Sequence, residues 1–146
     1  RKNFNKRLIK SPKLYFYDTG LACSLLGIEN KRQLATHPLR GALFETFVIS
    51  ELVKNRFNKG KRMNLSYFRD KSGHEIDCLI EEAGKIKAIE IKSGQTISSN
   101  FFKNLSYWQN LSKTDPKSSF IVYGGNEGQK RSLGRIIGWE KLDELF

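Results

Sequence analysis

Two short runs constrain this chain more than anything else in it: Glu75-Ile76-Asp77 and Glu90-Ile91-Lys92. Each alternates charge with an apolar residue, and a strand sends residues two apart to the same face. Glu90 and Lys92 therefore project together, while Ile89 and Ile91 turn the other way into a core. Glu75 and Asp77 share a face in the same sense, opposite Ile76 and Cys78. Gly84 and Lys85 lie between the runs and predict a hairpin turn. If the strands pair, Asp77 and Glu90 meet on one face with an ammonium group beside them. The chain must then build a sheet that buries one set of side chains and tolerates clustered charge in the other.

The remaining segments supply the cover. Gly41 to Asn58 predicts the longest helix, with Phe44, Phe47, Val48, Ile49 and Leu52 forming a wide apolar arc. Glu45 lies within that arc, where a carboxylate is costly unless something pairs with it. Glu51 falls within the arc too, so position alone does not single out Glu45. Strands are expected at Leu65 to Phe68, Glu75 to Glu81, Ile86 to Ile91, Ser119 to Tyr123 and Leu133 to Trp139, and Leu14 to Tyr17 has strand composition. Short helices are expected at Leu21 to Leu26 and Lys31 to His37, and a longer one at Phe101 to Leu111 with Ser98 or Ser99 as its cap. Leu142 to Phe146 reads as a terminal helical turn. Gly124 to Lys130 reads as a polar turn whose spacing does not fit a phosphate-binding loop. Helix, three-strand meander, helix and strand in that order argue an α/β sandwich with a mixed sheet flanked by helices. The expected division is a basic linker over residues 1–13, from an upstream domain, and a single domain over 14–146.

Composition narrows the partners. The net charge of +11 favours phosphate-bearing polymers or anionic membranes. No run approaches the roughly 18 apolar residues of a membrane helix, so nucleic acid is the expected partner and no membrane is. No secretory signal is visible, and Cys23 and Cys78 sit in apolar contexts, which together point to reduced thiols in a cytoplasmic protein. The two histidines form no cluster with zinc spacing, and His74 reads as a surface residue at a turn. The chain opens on Arg1-Lys2-Asn3, which suggests a piece of a longer protein.

Phosphodiester hydrolysis must stabilise charge on the attacking water and on the leaving oxygen, and hard divalent cations held by carboxylates do this. Asp77 and Glu90 are the candidate ligands for Mg²⁺ or Mn²⁺, with the Ile91 carbonyl as a further oxygen. Lys92 is the candidate to assist the nucleophile or offset charge in the transition state, and Glu45 to complete the shell. Lys59, Lys61, Arg62, Lys130 and Arg131 are candidate phosphate contacts. The ordinary alternative is a solvated sheet face on which Glu and Lys form a cross-strand pair, edged by a solvated basic rim. Tyr107 is a candidate base-stacking residue, whereas Trp108 reads as core.

The helical Glu45, the Asp77 strand and Glu90-Ile91-Lys92 resemble the PD-(D/E)xK nuclease superfamily. Ile76 stands where the named motif has proline. A wider text resembles the C-terminal domain of unknown function of a large group of prokaryotic AAA+ ATPases. It runs from Ser11-Pro12-Lys13-Leu14-Tyr15-Phe16-Tyr17-Asp18-Thr19-Gly20-Leu21 through Gly41-Ala42-Leu43-Phe44-Glu45, Tyr67-Phe68-Arg69-Asp70 and Glu75-Ile76-Asp77 to Glu90-Ile91-Lys92-Ser93. The resemblance implies a restriction-endonuclease-like fold and an upstream domain of the same chain that binds ATP and through which it oligomerises. Three functions follow as expectations. One is a Mg²⁺-dependent nuclease domain cutting DNA in concert with the ATPase. Another is a non-catalytic DNA- or protein-binding module that regulates it, and the last is an assembly domain docking on the ATPase core.

Overall fold

The expected meander is present: β1 (Leu65–Arg69), β2 (Glu75–Glu82) and β3 (Lys85–Lys92) pair antiparallel in sequence. The computed structural model describes residues 11–146, and Lys2, Lys6, Arg7 and Lys10 of the expected linker lie outside them. After a crossover, β4 (Ser119–Tyr123) lies parallel beside β3. Next come β6 (Gly134–Gly138), parallel to β4, and the edge strand β5 (Gln129–Arg131), antiparallel to β6. The result is one open, mixed, six-stranded sheet in the order β1-β2-β3-β4-β6-β5. The turn expected at Gly124 to Lys130 thus yields its last residues to β5, which pairs Lys130 with Arg135.

Helices cover both faces. The short helices α1 (Thr19–Leu25) and α2 (Lys31–Thr36) start at Asp18 and Asn30, whose carboxylate and amide oxygens accept from Leu21 N and Gln33 N. The long helix α3 (Arg40–Asn58) packs Val48, Leu52 and Val53 on one face of the sheet, against Cys78, Ile80, Ile89, Ile91, Val122 and Ile137. The crossover helix α4 (Lys103–Ser112), entered through a 3₁₀ turn capped by Ser98, packs Leu105 and Trp108 on the other face. All five β4 residues are buried, because a central parallel strand is covered on both sides. Each fully buried Leu or Ile contributes about 1.5–3 kcal/mol. No helix among the described residues is long and apolar enough to cross a membrane.

Three local expectations change. Leu14 to Tyr17 is not a strand; it crosses the surface without regular structure, held by side chains rather than by a ladder. The hairpin turn is Ala83–Gly84, both with positive φ (51° and 74°), and Lys85 is already paired with Glu82. That geometry suits Asn-Gly or Gly-Gly better than Ala-Gly. Ala83→Asn is expected to stabilise the protein by about 0.5–1 kcal/mol in urea unfolding. The third change lies in β2. Ser66 faces Leu79 and Phe68 faces Ile76, so β2 spends three steps where β1 spends two. This bulge at Asp77–Cys78 flips the alternation: Ile76 packs with the α4 layer and Cys78 with the α3 layer, not on a shared face.

Candidate active site

The bulge determines how the acidic residues meet. The β2–β3 ladder runs from Glu82–Lys85 as far as Cys78–Ile89. Beyond it, side chains replace backbone partners. Asp77 Oδ2 accepts from Ile91 N at 2.7 Å, and Glu90 Oε1 accepts from Asp77 N at 3.3 Å. Each carboxylate thus satisfies a backbone donor on the opposite strand. Asp77 and Glu90 interlock edge to edge in the gap between strands, rather than projecting side by side from one face.

Lys92 joins them, with Nζ 2.9 Å from Glu90 Oε2. Asn104 of α4 hydrogen-bonds Glu90 from the far side. Glu90 is 1% exposed, and a carboxylate that deep needs all of these partners. Burial pushes its carboxyl above the ordinary range, against the pull of Lys92. Burial, and then the negative charge of Glu90, push Asp77 up to about 7. Burial opposes the Lys92 charge as well, but Glu90 holds its ammonium above the ordinary lysine value.

Glu45, on α3, lines a cleft of about 430 Å³ together with Asp77 and Glu75; Glu90 and Lys92 do not line it. The Glu45 charge raises Asp77 further, yet its Oε1 is bonded elsewhere, to Lys13 Nζ at 3.3 Å and Tyr15 OH at 2.7 Å. Lys13 also binds Glu75, whose other oxygen takes Arg69 Nε at 3.0 Å and Nη2 at 2.6 Å. Glu51 points away and pairs with Lys54 at 2.9 Å, which separates the two carboxylates of the helical arc. Among the described residues, no group of three or more His, Cys, Asp or Glu side chains is disposed to hold a metal ion. Of the expected site carboxylates, Asp77 and Glu90 are the two that lie against each other and remain as candidate donors. Two mutually repelling carboxylates in a shielded gap fit a Mg²⁺ or Mn²⁺ that keeps most of its own waters, not a closed protein cage.

The candidate phosphate contacts lie elsewhere. Lys61 pairs with Glu82, at the far end of the hairpin from Lys92; seven strand steps separate Lys85 from Lys92, roughly 23 Å. Lys59 follows α3 and lies over the Phe146 ring at 5.0 Å, and the neighbouring Arg62 is exposed. Lys130 and Arg131 are exposed on the edge strand, three strands and roughly 14 Å across the sheet from β3. The fold thus gathers Asp77, Glu90 and Lys92 at one pole and leaves these five cations away from it.

A family model described as a domain of unknown function (DUF4143) matches residues 40–142, which contain Glu45, Asp77, Glu90 and Lys92. The chain belongs to this family. A second model, also a domain of unknown function (DUF8612), matches residues 1–32. Uncharacterized proteins of Mycobacterium tuberculosis and Mycobacterium bovis are each 36% identical over 96 residues, 66% of this chain. The match spans 21% of the length of those relatives. No solved structure matches the chain.

Within the DUF4143 segment, two contributors carry little signal in the sequence. Asn104 is one, because an Asn in a helix is usually solvent-facing. Asp70 is the other: although placed in a turn, it is 3% exposed. It accepts from Ser72 N at 2.9 Å, His74 N at 3.0 Å and Tyr107 OH at 2.7 Å. His74 stacks on Tyr107 at 3.7 Å between centroids, with Nδ1 3.3 Å from Asp70 Oδ2. Buried as Asp70 is, these bonds hold its carboxyl below the ordinary range. The cluster ties the β1–β2 hairpin to α4, so His74 and Tyr107 have partners within the fold. Trp108 is core, at 5.1 Å from Phe68. Cys23 and Cys78 are free thiols, and burial pushes Cys78 up to about 12, which keeps it protonated at neutral pH.

Proposed function

We propose that this chain is a nuclease-like domain that hydrolyses phosphodiester bonds of DNA with Mg²⁺ or Mn²⁺, in a cytoplasmic protein whose other part is an AAA+ ATPase. The observation that carries the proposal is the interlock of Asp77 and Glu90 with Lys92 Nζ 2.9 Å from Glu90. Even with Lys92 beside Glu90, two buried carboxylates this close oppose each other's charge, and a ligand that needs both would account for keeping them. The order of elements and the mixed sheet agree with the restriction-endonuclease-like arrangement to which the sequence pattern is similar.

Asp77 and Glu90 would hold the ion, and Asn104 keeps the Glu90 carboxylate oriented. A bound Mg²⁺ or Mn²⁺ supplies Lewis-acid polarisation of the phosphate and an acidified water. Lys92, fixed by Glu90 and kept protonated by it, offsets negative charge as it builds on the phosphate oxygens. Lys59, Lys61, Arg62, Lys130 and Arg131 would bind phosphates distant from the cleaved one, so a substrate reaching from Lys92 to the Lys61 end of the hairpin spans roughly 20 Å.

Calorimetric titration of Mn²⁺ and Mg²⁺, with plasmid and single-stranded DNA cleavage measured on the same samples, tests the reading. The wild type is expected to bind and cleave. Lys92→Met is expected to lose about 10²–10³-fold in cleavage rate with little loss of ion affinity. Cleavage that survives Glu90→Gln would end the assignment. A second reading has its own observation: the third carboxylate, Glu45, is bonded to Lys13 and Tyr15. That arrangement favours a non-catalytic DNA- or protein-binding module regulating or assembling the ATPase, and it predicts salt-dependent DNA binding without cleavage.

A further inference from the structure

The Ser11–Tyr17 segment is attached to the fold by the acidic wall of the candidate site. Lys13 Nζ bonds Glu45 and Glu75 and sits 4.8 Å from the Tyr67 ring centroid. Tyr15 OH bonds the same Glu45 oxygen as Lys13 does. The Tyr67 hydroxyl donates to the Ser11 carbonyl. Leu14 is 92% exposed and Tyr17 62%, so apolar packing does not fix the segment throughout its length. Its anchors are the ammonium of Lys13 on carboxylates of α3 and β2, the Tyr15 and Tyr67 hydrogen bonds, and the packing of the Tyr15 ring against the core.

The Lys13 ammonium stands in the same electrostatic field as the proposed ion. Glu45, Glu75 and Asp77 line one cleft with Lys13 and Tyr15. A divalent ion bound by Asp77 would draw on the negative charge that Lys13 now neutralises, and the ammonium would repel it. With Lys13 and Tyr15 on its Oε1, that oxygen of Glu45 is already occupied. The segment also falls within a different family match: residues 1–32 match one family model, and residues 40–142, with all three cleft carboxylates, match another.

We infer that Ser11–Tyr17 is an inhibitory strap: Lys13 occupies the cleft in place of cationic charge from a divalent ion, and its withdrawal frees Glu45 to serve that ion. The inference rests on the reading of Asp77 and Glu90 as the ion-binding pair. Withdrawal of Ser11–Tyr17 then sets the ion affinity of the cleft. Lys13→Ala removes the ionic part of the anchor and leaves the Tyr15 and Tyr67 hydrogen bonds, whereas Tyr15→Phe removes one bond to Glu45 and leaves the ring in place.

The test is Mn²⁺ titration of the full chain by calorimetry, in the wild type, Lys13→Ala, Tyr15→Phe and Lys13→Ala/Glu45→Gln. Lys13→Ala is expected to bind roughly 5–20-fold more tightly than the wild type, and Tyr15→Phe roughly 2–3-fold. The gain should disappear in the double variant, because it needs the freed Glu45. Unchanged or weaker binding in Lys13→Ala, or a gain that survives Glu45→Gln, overturns the strap while wild-type binding keeps the ion-binding pair. Absence of Mn²⁺ binding in all four proteins overturns both.

Discussion

Asp77→Asn is expected to melt roughly 3–6 °C above the wild type at pH 8 and to lose divalent-ion binding and cleavage. The amide keeps the oxygen that accepts from Ile91 N, so the strand contact survives. What the substitution removes is a charge that burial and Glu90 oppose, raising Asp77 from 3.8 to about 7. A carboxyl raised in the folded state holds a proton there that the unfolded chain releases. Stability therefore falls as pH rises between the two values, and stays low above about 7. Wild type and Asp77→Asn should differ little below pH 4, diverge from 4 to 7 and keep a constant gap above. Allowing for partial solvent access, the gap is about 1–2 kcal/mol. The sign separates a functional acid from a structural one: a structural carboxylate would lose stability when neutralised. Melting curves across pH 4–9 check the stability half, and calorimetry with Mn²⁺ checks the binding half. A lower melting temperature for Asp77→Asn at pH 8 would make the pair a structural feature. In the wild type, saturating Mn²⁺ should recover part of the same gap, since an ion that binds only the folded state adds stability by mass action.

The pattern of alternation made much of this site legible. Glu90 and Lys92 project together as a period of two requires, and the helix carrying Glu45 packs on the face built by Ile89 and Ile91. The apolar run of β4 and the Trp108 face of α4 followed from periodicity in the same way. What periodicity misses is any break in itself. The extra residue at Asp77–Cys78 sends Ile76 and Cys78 to opposite layers and turns Asp77 into the gap where it meets Ile91 N. A bulge depends on the partner strand, so no residue of β2 announces it. Glu45 and Glu51 both fall within the apolar arc of the helix, and what distinguishes them is their partners: Lys13, 32 residues away, for Glu45 and Lys54 for Glu51. Leu14 to Tyr17 has strand composition, but the chain there makes side-chain contacts to Glu45 and Tyr67 instead of joining a ladder. The burial of Asp70 likewise depends on Tyr107, 37 residues away.

Two neighbouring glycines should respond in opposite ways to one added methyl group, and the contrast tests what fixes Lys92. Where β3 ends, the chain passes through Ser93 and Gly94, and Gly124 at the end of β4 closes over it. Gly124 N donates to the carbonyls of Lys92 and Gly94, each at 3.0 Å. Arg40 Nη2, from the start of α3, holds the Ser93 carbonyl at 2.9 Å. The backbone behind the Lys92 side chain is thus clamped by a strand end and a helix start. A Cβ on Gly124 would press into the Ser93 carbonyl, lying 3.1 Å from its carbon and 3.2 Å from the Gly94 oxygen. These are backbone atoms held by the clamp, so the β3 exit must move. A Cβ on Gly94 meets nothing within 4 Å. Gly124→Ala is expected to cost about 2–3 kcal/mol, or roughly 5–10 °C in melting temperature, and Gly94→Ala less than about 0.5 kcal/mol. Cleavage by folded Gly124→Ala should fall at least tenfold, because displacement of the β3 exit carries Lys92 out of its contact with Glu90. If Gly124→Ala is as stable and active as Gly94→Ala, the clamp does not position Lys92, and the 2.9 Å pairing with Glu90 alone must hold it.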